Sequence, residues 1–218
     1  MAADDPVDWR NRGAVSLVKD QGSQCKQAGY AFAAVGALEG SWFLKTGNLI
    51  SFSEQQLIDC SSTQGNQACN GGLVDFAFDY IEQGSHVCNE SAYSYSGKSE
   101  SCTASTCDQI GYIASFKDVP VQDIDQLKSA IAQTPTAVSV DASTPAFRGY
   151  KSGVITEKCG TNAQHPVLAI GYGVDDPSSQ PYFLLKNSWG AEWGDSGYVR
   201  VGQNNTCGVL SAASYPTN

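Results

Sequence analysis

Residues 28 to 45 contain no proline, and almost every face of that run is apolar or small, with Ala, Phe, Leu and Trp dominating. A helix that is apolar all round must be covered on all sides. Whatever else this chain forms therefore has to wrap that segment. Thr46-Gly47-Asn48 closes the run, and Gly47 fits the left-handed C-cap position. Ser53-Glu54-Gln55-Gln56 has the Ser-x-x-Gln pattern of a capping box, opening a short second helix toward Cys60. Leu73 to Ile81 reads as a third helix after the Gly71-Gly72 turn.

Beyond about residue 110 the pattern changes. Ile110–Val119, Ala137–Asp141, Val167–Val174, Tyr182–Asn187 and Tyr198–Val201 are β-branched or aromatic runs broken by Gly, Pro and Asn, which predicts strands. Asp123–Gln133 interrupts them as an amphipathic helix. A helical first half and a mostly antiparallel second half make an α+β protein of two lobes with a cleft between them. No internal repeat or low-complexity linker divides the chain further.

The chain's 218 residues suit one domain or two small ones, and 41% hydrophobic content is ordinary for a packed core. Twenty-two acidic against 13 basic residues give a net charge of -9, which argues against nucleic acid or an anionic membrane as partner. The sequence pI near 4.5 suits work at acidic pH, or simply a soluble acidic surface. No apolar run approaches the roughly 20 residues of a membrane span. Met1 stands directly before a polar Ala-Ala-Asp-Asp start, and reads as an expression start on a mature domain without its targeting and pro-segments. Eight cysteines without a CxxC, and with both histidines far from any cysteine cluster, point to disulfides in an oxidising compartment rather than to zinc. Sequence alone leaves 105 pairings open.

Only His86 and His165 could serve as a catalytic base. His86 lies in a Gly-Ser-His-Val-Cys-Asn turn with no orienting partner in sight. His165 stands in Gln164-His165-Pro166-Val167-Leu168-Ala169-Ile170-Gly171-Tyr172-Gly173, just before a buried-looking strand. Asn187 follows 22 residues later, in Lys186-Asn187-Ser188-Trp189-Gly190-Ala191-Glu192-Trp193-Gly194. Upstream, Gln21-Gly22-Ser23-Gln24-Cys25-Lys26-Gln27-Ala28-Gly29-Tyr30-Ala31-Phe32 leads into the apolar helix. Together these stretches resemble the papain-like cysteine proteases of the cathepsin L-like kind. That resemblance implies a helical lobe roughly from 10 to 110 and an antiparallel, β-barrel-like lobe roughly from 111 to 210. The active-site cleft lies between them, within one peptidase domain of residues 1–218 whose terminal segments cross between lobes.

In that family the nucleophile is a cysteine thiolate at a helix N-terminus, its pKa lowered by the helix and an imidazolium partner. The resemblance gives His165 the role of base and Asn187 that of selecting its tautomer. Trp189 shields the bond between them, and Gln21 donates to the oxyanion. The nucleophile is missing. The family's reactive cysteine follows a disulfide cysteine by three residues, which here is Ala28. Helix register, counted back from Tyr30, gives Gly29 instead, because this chain carries two additional residues between Gln21 and Ala31-Phe32. Ala28 is preferred here as the least disruptive replacement of cysteine. The substitution is either a disarming change in an endopeptidase or the mark of a natural pseudoprotease that binds without cutting.

The resemblance also suggests the disulfides Cys25–Cys69, Cys60–Cys102 and Cys159–Cys207, leaving Cys88–Cys107 as a fourth pair. A restored nucleophile would then be the ninth and only free cysteine. By the same carry-over, Leu73, Val74, Ser139, Pro166 and Ala212 form the pocket for the residue two before the scissile bond. Gly71 and Gly72 offer backbone to an extended peptide. None of these positions is acidic, which predicts an apolar preference. Pro166 departs from the family's usual small residue there. The implied partners are protein or peptide substrates, the chain's own propeptide and cystatin-like inhibitors. A monomer without metal or cofactor, in a lysosomal, vacuolar or extracellular setting, completes the expectation. Asn89 and Asn204 both fit the N-glycosylation signal, Asn89 being the one expected to accept.

Overall fold

The apolar run becomes α1, Gly29–Thr46, buried without interruption from Gly29 to Ser41. A computed structural model describes residues 5–157 and 159–218; Met1 and the Ala-Ala-Asp after it lie outside the described residues. The helix stops where Gly47 turns left-handed (φ 76°) and donates its N–H to the Phe43 carbonyl at 2.8 Å. Two glycines inside α1 let other elements approach. A Cβ on Gly36 would lie 2.8 Å from Leu168 Cδ2, and one on Gly40 would lie 2.5 Å from Pro135 Cγ. Mid-helix glycine costs about 1 kcal/mol relative to alanine, and the close packing it permits offsets that cost.

The remaining helices are α2 (Glu54–Cys60), α3 (Val74–Glu82), α4 (Ile124–Gln133) and the single turn α5 (Pro145–Arg148). The capping box before α2 is only half formed. Ser53 Oγ accepts from the Gln56 N–H at 3.0 Å as expected. The Gln56 side chain does not reach back to Ser53. It donates to Tyr80 Oη (3.1 Å) and the His86 carbonyl (2.8 Å), and accepts from the Cys88 N–H (2.8 Å). Buried Gln56 thereby fastens α2 to α3 and to the chain that follows. Asp123 caps α4 by accepting from the Gln126 N–H at 2.9 Å.

The strands are β1 (Val7–Asp8), β2 (Val87–Cys88), β3 (Gln109–Gly111), β4 (Ser115–Asp118), β5 (Thr136–Val140), β6 (His165–Asp175), β7 (Gln180–Lys186), β8 (Tyr198–Gly202) and β9 (Ala213–Thr217). All pairings between them are antiparallel. The large sheet runs β4-β9-β5-β6-β7-β8, with β1 added to β6, and β2 and β3 form a separate ribbon. The single strand expected over Ile110–Val119 is therefore two. Gly111 sits against the Phe52 ring, where a Cβ would come within 2.6 Å, and holds β3 on the helical side. Past Tyr112–Ala114 the chain joins the other sheet as β4. No sequence run announced β9, whose Pro216 pairs only with β4; β5 reaches no further along β9 than Ser214. Proline is tolerated where one side of a strand needs no donor.

Four disulfides, Cys25–Cys69, Cys60–Cys102, Cys88–Cys107 and Cys159–Cys207, use all eight cysteines. One buried apolar cluster runs from Val7 to Leu210 across both halves. Three chain segments converge beside it. The loop before α1 pairs with the chain after β7, through an Asp20–Trp189 bridge and a bond from the Gln21 N–H to the Ser188 carbonyl at 2.9 Å. The first residue of β6 meets them there. Of the two glycosylation signals, Asn204 is exposed, whereas Asn89 is half-buried and its Oδ1 accepts from the N–H and Oγ of Ser91 at 2.9 and 2.8 Å. Asn204 is thus the more exposed of the two signals, although Asn89 is the one expected from sequence to accept.

Candidate active site

His165 opens β6, and its register against β5 (Val140 opposite His165, Ser139 opposite Pro166) fixes where the ring leaves the sheet. Asn187, 2% exposed, immediately follows β7. Its Oδ1 lies 2.8 Å from His165 Nε2 and also accepts the Ser188 N–H at 2.8 Å. An oxygen that accepts a backbone N–H is an acceptor toward the imidazole too, so Nε2 carries the proton and Nδ1 presents its lone pair. The Trp189 ring lies 4.9 Å from the imidazole, tilted by 31°, and is itself braced by Phe147 and Trp193. The aromatic cover keeps water from the His165–Asn187 bond.

Burial lowers the His165 pKa below 6.5, partly offset by the bond to Asn187. The ring is therefore neutral at pH 7. Below pH 6.5 the unfolded chain binds this proton more readily than the folded one. His165 thus costs stability increasingly as pH falls from 6.5 through its folded pKa. A histidine-ring NMR titration should give His165 a midpoint below 6.5; a midpoint above 6.5 would show the imidazolium to be stabilised here.

Nδ1 faces the start of α1. A Cβ built on Gly29 would lie 3.2 Å from His165 Nδ1 and Cε1 and 3.1 Å from the Pro166 carbonyl oxygen. Ala28, the N-cap residue, is wholly buried in the core. Neither residue has a nucleophilic atom, and every cysteine is bridged. The first N–H groups of α1 have no intrahelical acceptor and present partial positive charge at this point. Gln21 is 2% exposed. Its Oε1 accepts from Ser188 Oγ and its Nε2 donates to the Lys26 carbonyl, both at 2.6 Å. The loop that carries the additional residues therefore engages the amide that sequence assigned to an oxyanion.

The cleft holds two hollows that share Pro166. One, of about 230 Å³, is lined by Gln27, Gly29, His165 and Trp189 among others. The second, of about 250 Å³, brings together Leu73, Val74, Ser139, Pro166 and Ala212. Gly71 and Gly72 do not line it. They lie next to it, Gly71 against Gln27 and Gly72 against Asn66 and Tyr30. Asp75 and the exposed Asp118 border it as well, although none of the five positions read from sequence is acidic. Asp75 sits one residue past Val74, and Asp118 arrives from β4, which pairs with β9 and packs on α3 through Phe116 and Phe78.

A sequence model described as papain family cysteine protease matches residues 3–217. The chain belongs to the papain family of cysteine proteases. It is 46% identical to mouse procathepsin L over 216 residues, which is 96% of this chain and 64% of that protein. It therefore spans less than two thirds of that relative. Cathepsin L of Sarcophaga peregrina is 45% identical, over 97% of this chain and 63% of the relative. The proform of the ragweed pollen cysteine protease Amb a 11 superposes with a TM-score of 0.92 at 38% identity, covering 100% of this chain and 67% of that one. Bromelain from Ananas comosus, solved with the E64 inhibitor, gives 0.90 at 36% identity, covering 97% and 98%. The two-lobe papain fold is thus that of a cathepsin L-like protein.

Behind this papain-family site lies a charge cluster that the sequence reading missed. Lys19 Nζ donates to both Glu54 carboxylate oxygens at 2.8 Å and to the Phe52 carbonyl at 3.0 Å, with Glu39 3.6 Å and Glu90 3.9 Å away. Glu39 accepts from the Phe52 N–H at 3.0 Å and from Ser16 Oγ, which in turn accepts from Lys186 Nζ at 2.9 Å. Burial pushes the Glu54 carboxyl up to about 8, against the pull of Lys19. Glu39, the lone acid in an otherwise apolar helix, was the available signal. Among the described residues no group of three His, Cys, Asp or Glu side chains could hold a metal ion, and no helix is long and apolar enough to cross a membrane.

Proposed function

We propose that this chain is a cathepsin L-like endopeptidase scaffold that binds extended peptides in its cleft and does not cleave them, because the nucleophile's position, residue 29, is glycine. The approach of a Gly29 Cβ to 3.2 Å from His165 Nδ1 carries the reading. Helix register is thus a better ruler than the three-residue spacing from Cys25, and Ala28 is a core residue. With cysteine at 29, His165 Nδ1 would hold the thiol proton and later pass it to the departing amine. Asn187 would keep the ring in that tautomer, and Trp189 would keep the bond dry. The partners are peptide substrates, a propeptide and cystatin-like inhibitors, met by a monomeric single domain in a lysosomal, vacuolar or extracellular compartment. Four disulfides and an acidic surface support that compartment.

One observation favours a second reading, a natural pseudoprotease. Gln21 is tied to the Lys26 carbonyl, so the oxyanion donor is occupied as well as the nucleophile absent. Both readings expect purified chain to give no thiol-reagent-sensitive hydrolysis of fluorogenic peptides, and to bind peptides or cystatin-like inhibitors by calorimetry. Such hydrolysis would disprove the inactivity. Absence of all binding would disprove the intact cleft.

A further inference from the structure

Asn187 holds His165 with its amide oxygen, and its amide nitrogen is left over. Oδ1 meets the imidazole and the Ser188 N–H, both at 2.8 Å. Nδ2 is buried and meets no acceptor among the described residues. Buried donors in native proteins find a partner, either in the protein or in bound water. Asn187 does not line the cleft hollow that holds His165 and Trp189. It lines a separate, smaller cavity behind the site, with Ala33 and Gly36 of α1 and Leu168 of β6 among its apolar walls. The volume is about 20 Å³. A water molecule needs roughly 10–15 Å³ and two to four polar partners, and apolar cavities of such size stay dry. This one is polar: Lys19, Glu39, Glu54 and Lys186 of the charge cluster form the rest of its wall. Glu39 and Glu54 are 1% and 2% exposed, and a carboxylate can accept more bonds than either is given by its protein partners. Lys186 Nζ, with three protons to donate, has one bond among the described residues, to Ser16 Oγ.

We propose that one water molecule binds in this cavity as a fixed bridge, accepting from Asn187 Nδ2 and donating to the carboxylates of Glu39 and Glu54, and that it positions the amide that positions His165. Held from behind, the amide cannot turn its nitrogen toward the imidazole, so Oδ1 stays the group that faces Nε2. Lys186 Nζ stands at the same wall as a second donor to the water. The bridge ties the charge cluster, which comes from distant segments, to the His165–Asn187 pair. It acts on that pair itself and holds whether the cleft cuts peptides or only binds them, so it goes beyond the proposed function.

A crystal structure of the chain as it stands should show one ordered water at hydrogen-bond distance, about 2.7–3.2 Å, from Asn187 Nδ2 and from an oxygen of Glu39 or Glu54. No water at Nδ2, or one that touches neither carboxylate, would overturn the proposal. Two substitutions of Ala33, which is 2% exposed and lines the same cavity, test what the water does. Ala33→Val puts methyl groups where the water binds, whereas Ala33→Ser adds a hydroxyl that can bond Nδ2 in its place. Solvent exchange of the His165 Nε2 proton, read by NMR at pH 7, should be about tenfold faster in Ala33→Val, the equivalent of one hydrogen bond lost. In Ala33→Ser it should stay near that of the unaltered chain. Equal acceleration in both variants would mark a packing effect, and acceleration in neither would show that the amide needs no partner behind it. Either result would overturn the proposal, and the crystallographic result decides even where Ala33→Val does not fold.

Discussion

Gly29→Cys should create a thiol that iodoacetamide alkylates at pH 5 on the order of 100-fold or more faster than free cysteine, whereas Ala28→Cys should stay inert. At pH 5 a thiol of pKa about 8.5 is almost entirely protonated, so reactivity there reports a stabilised thiolate. At position 29 the sulfur would meet His165 Nδ1, which is 3.2 Å from the Cβ position, and the unpaired N–H groups of α1. The imidazole that is neutral now would take the proton, its midpoint rising as the ion pair forms. The space is tight: the Pro166 carbonyl at 3.1 Å must give by a few tenths of an ångström. At position 28 the thiol would instead lie in the core, where burial raises its pKa. His165→Ala in the Gly29→Cys background should abolish the acid-side reactivity, and Asn187→Ala should reduce it less. Reactivity at 28 with none at 29 would restore cysteine spacing as the ruler. A reactive thiol at position 29 that still fails to turn over peptide would point to the Gln21–Lys26 bond and favour the pseudoprotease.

What could be read from sequence follows the range of the interactions involved. Helix α1 was legible because an all-apolar run ending in Gly47 has one physical solution. His165, Asn187 and Trp189 were legible because two short strings carry them, and each string forms its own strand end. Position 29 was harder. Two rulers, the spacing from Cys25 and the register of α1, disagree across the additional residues, and only the approach of His165 to α1 distinguishes them. The acidic lining of the second hollow was not legible at all. Asp118 is 45 residues from Leu73, and it arrives there in β4, which pairs with β9, a strand of small residues and a proline that no pattern marked. Splitting Ile110–Val119 required knowing that Gly111 rests on Phe52. The charge cluster was hidden for the same reason, since Lys19, Glu39, Glu54 and Lys186 come from four separate segments.

That cluster sets the other large expected effect. Lys19→Met should destabilise the protein by about 3–5 kcal/mol at pH 8, because it leaves Glu54 and the Phe52 carbonyl without their buried donor and Glu39 without its nearest cation. Lys19 is the cation bonded to Glu54, which is 2% exposed, and the nearest cation to Glu39 and Glu90. Lys186 remains, but it bonds Ser16 rather than Glu54. The penalty should depend on pH in a defined direction. The folded Glu54 carboxyl already stands near 8, above its unfolded value. Its ionisation therefore opposes folding increasingly as pH rises from about 4.5 toward 8. Without Lys19 the folded value rises further, but Glu54 is already about half protonated at pH 8, so this adds at most about 0.4 kcal/mol there and nothing at pH 5. Denaturant titration with the disulfides intact, followed by tryptophan fluorescence, measures each value. A loss below about 1 kcal/mol at pH 8 would mean that water reaches these carboxylates and that the cluster is not a buried one. The effect should extend to the site, because Glu39 and Lys186 share the Ser16 hydroxyl and Lys186 directly precedes Asn187. Loosening the cluster should therefore weaken the His165–Asn187 bond, read as a shift of the His165 midpoint in the Lys19→Met protein.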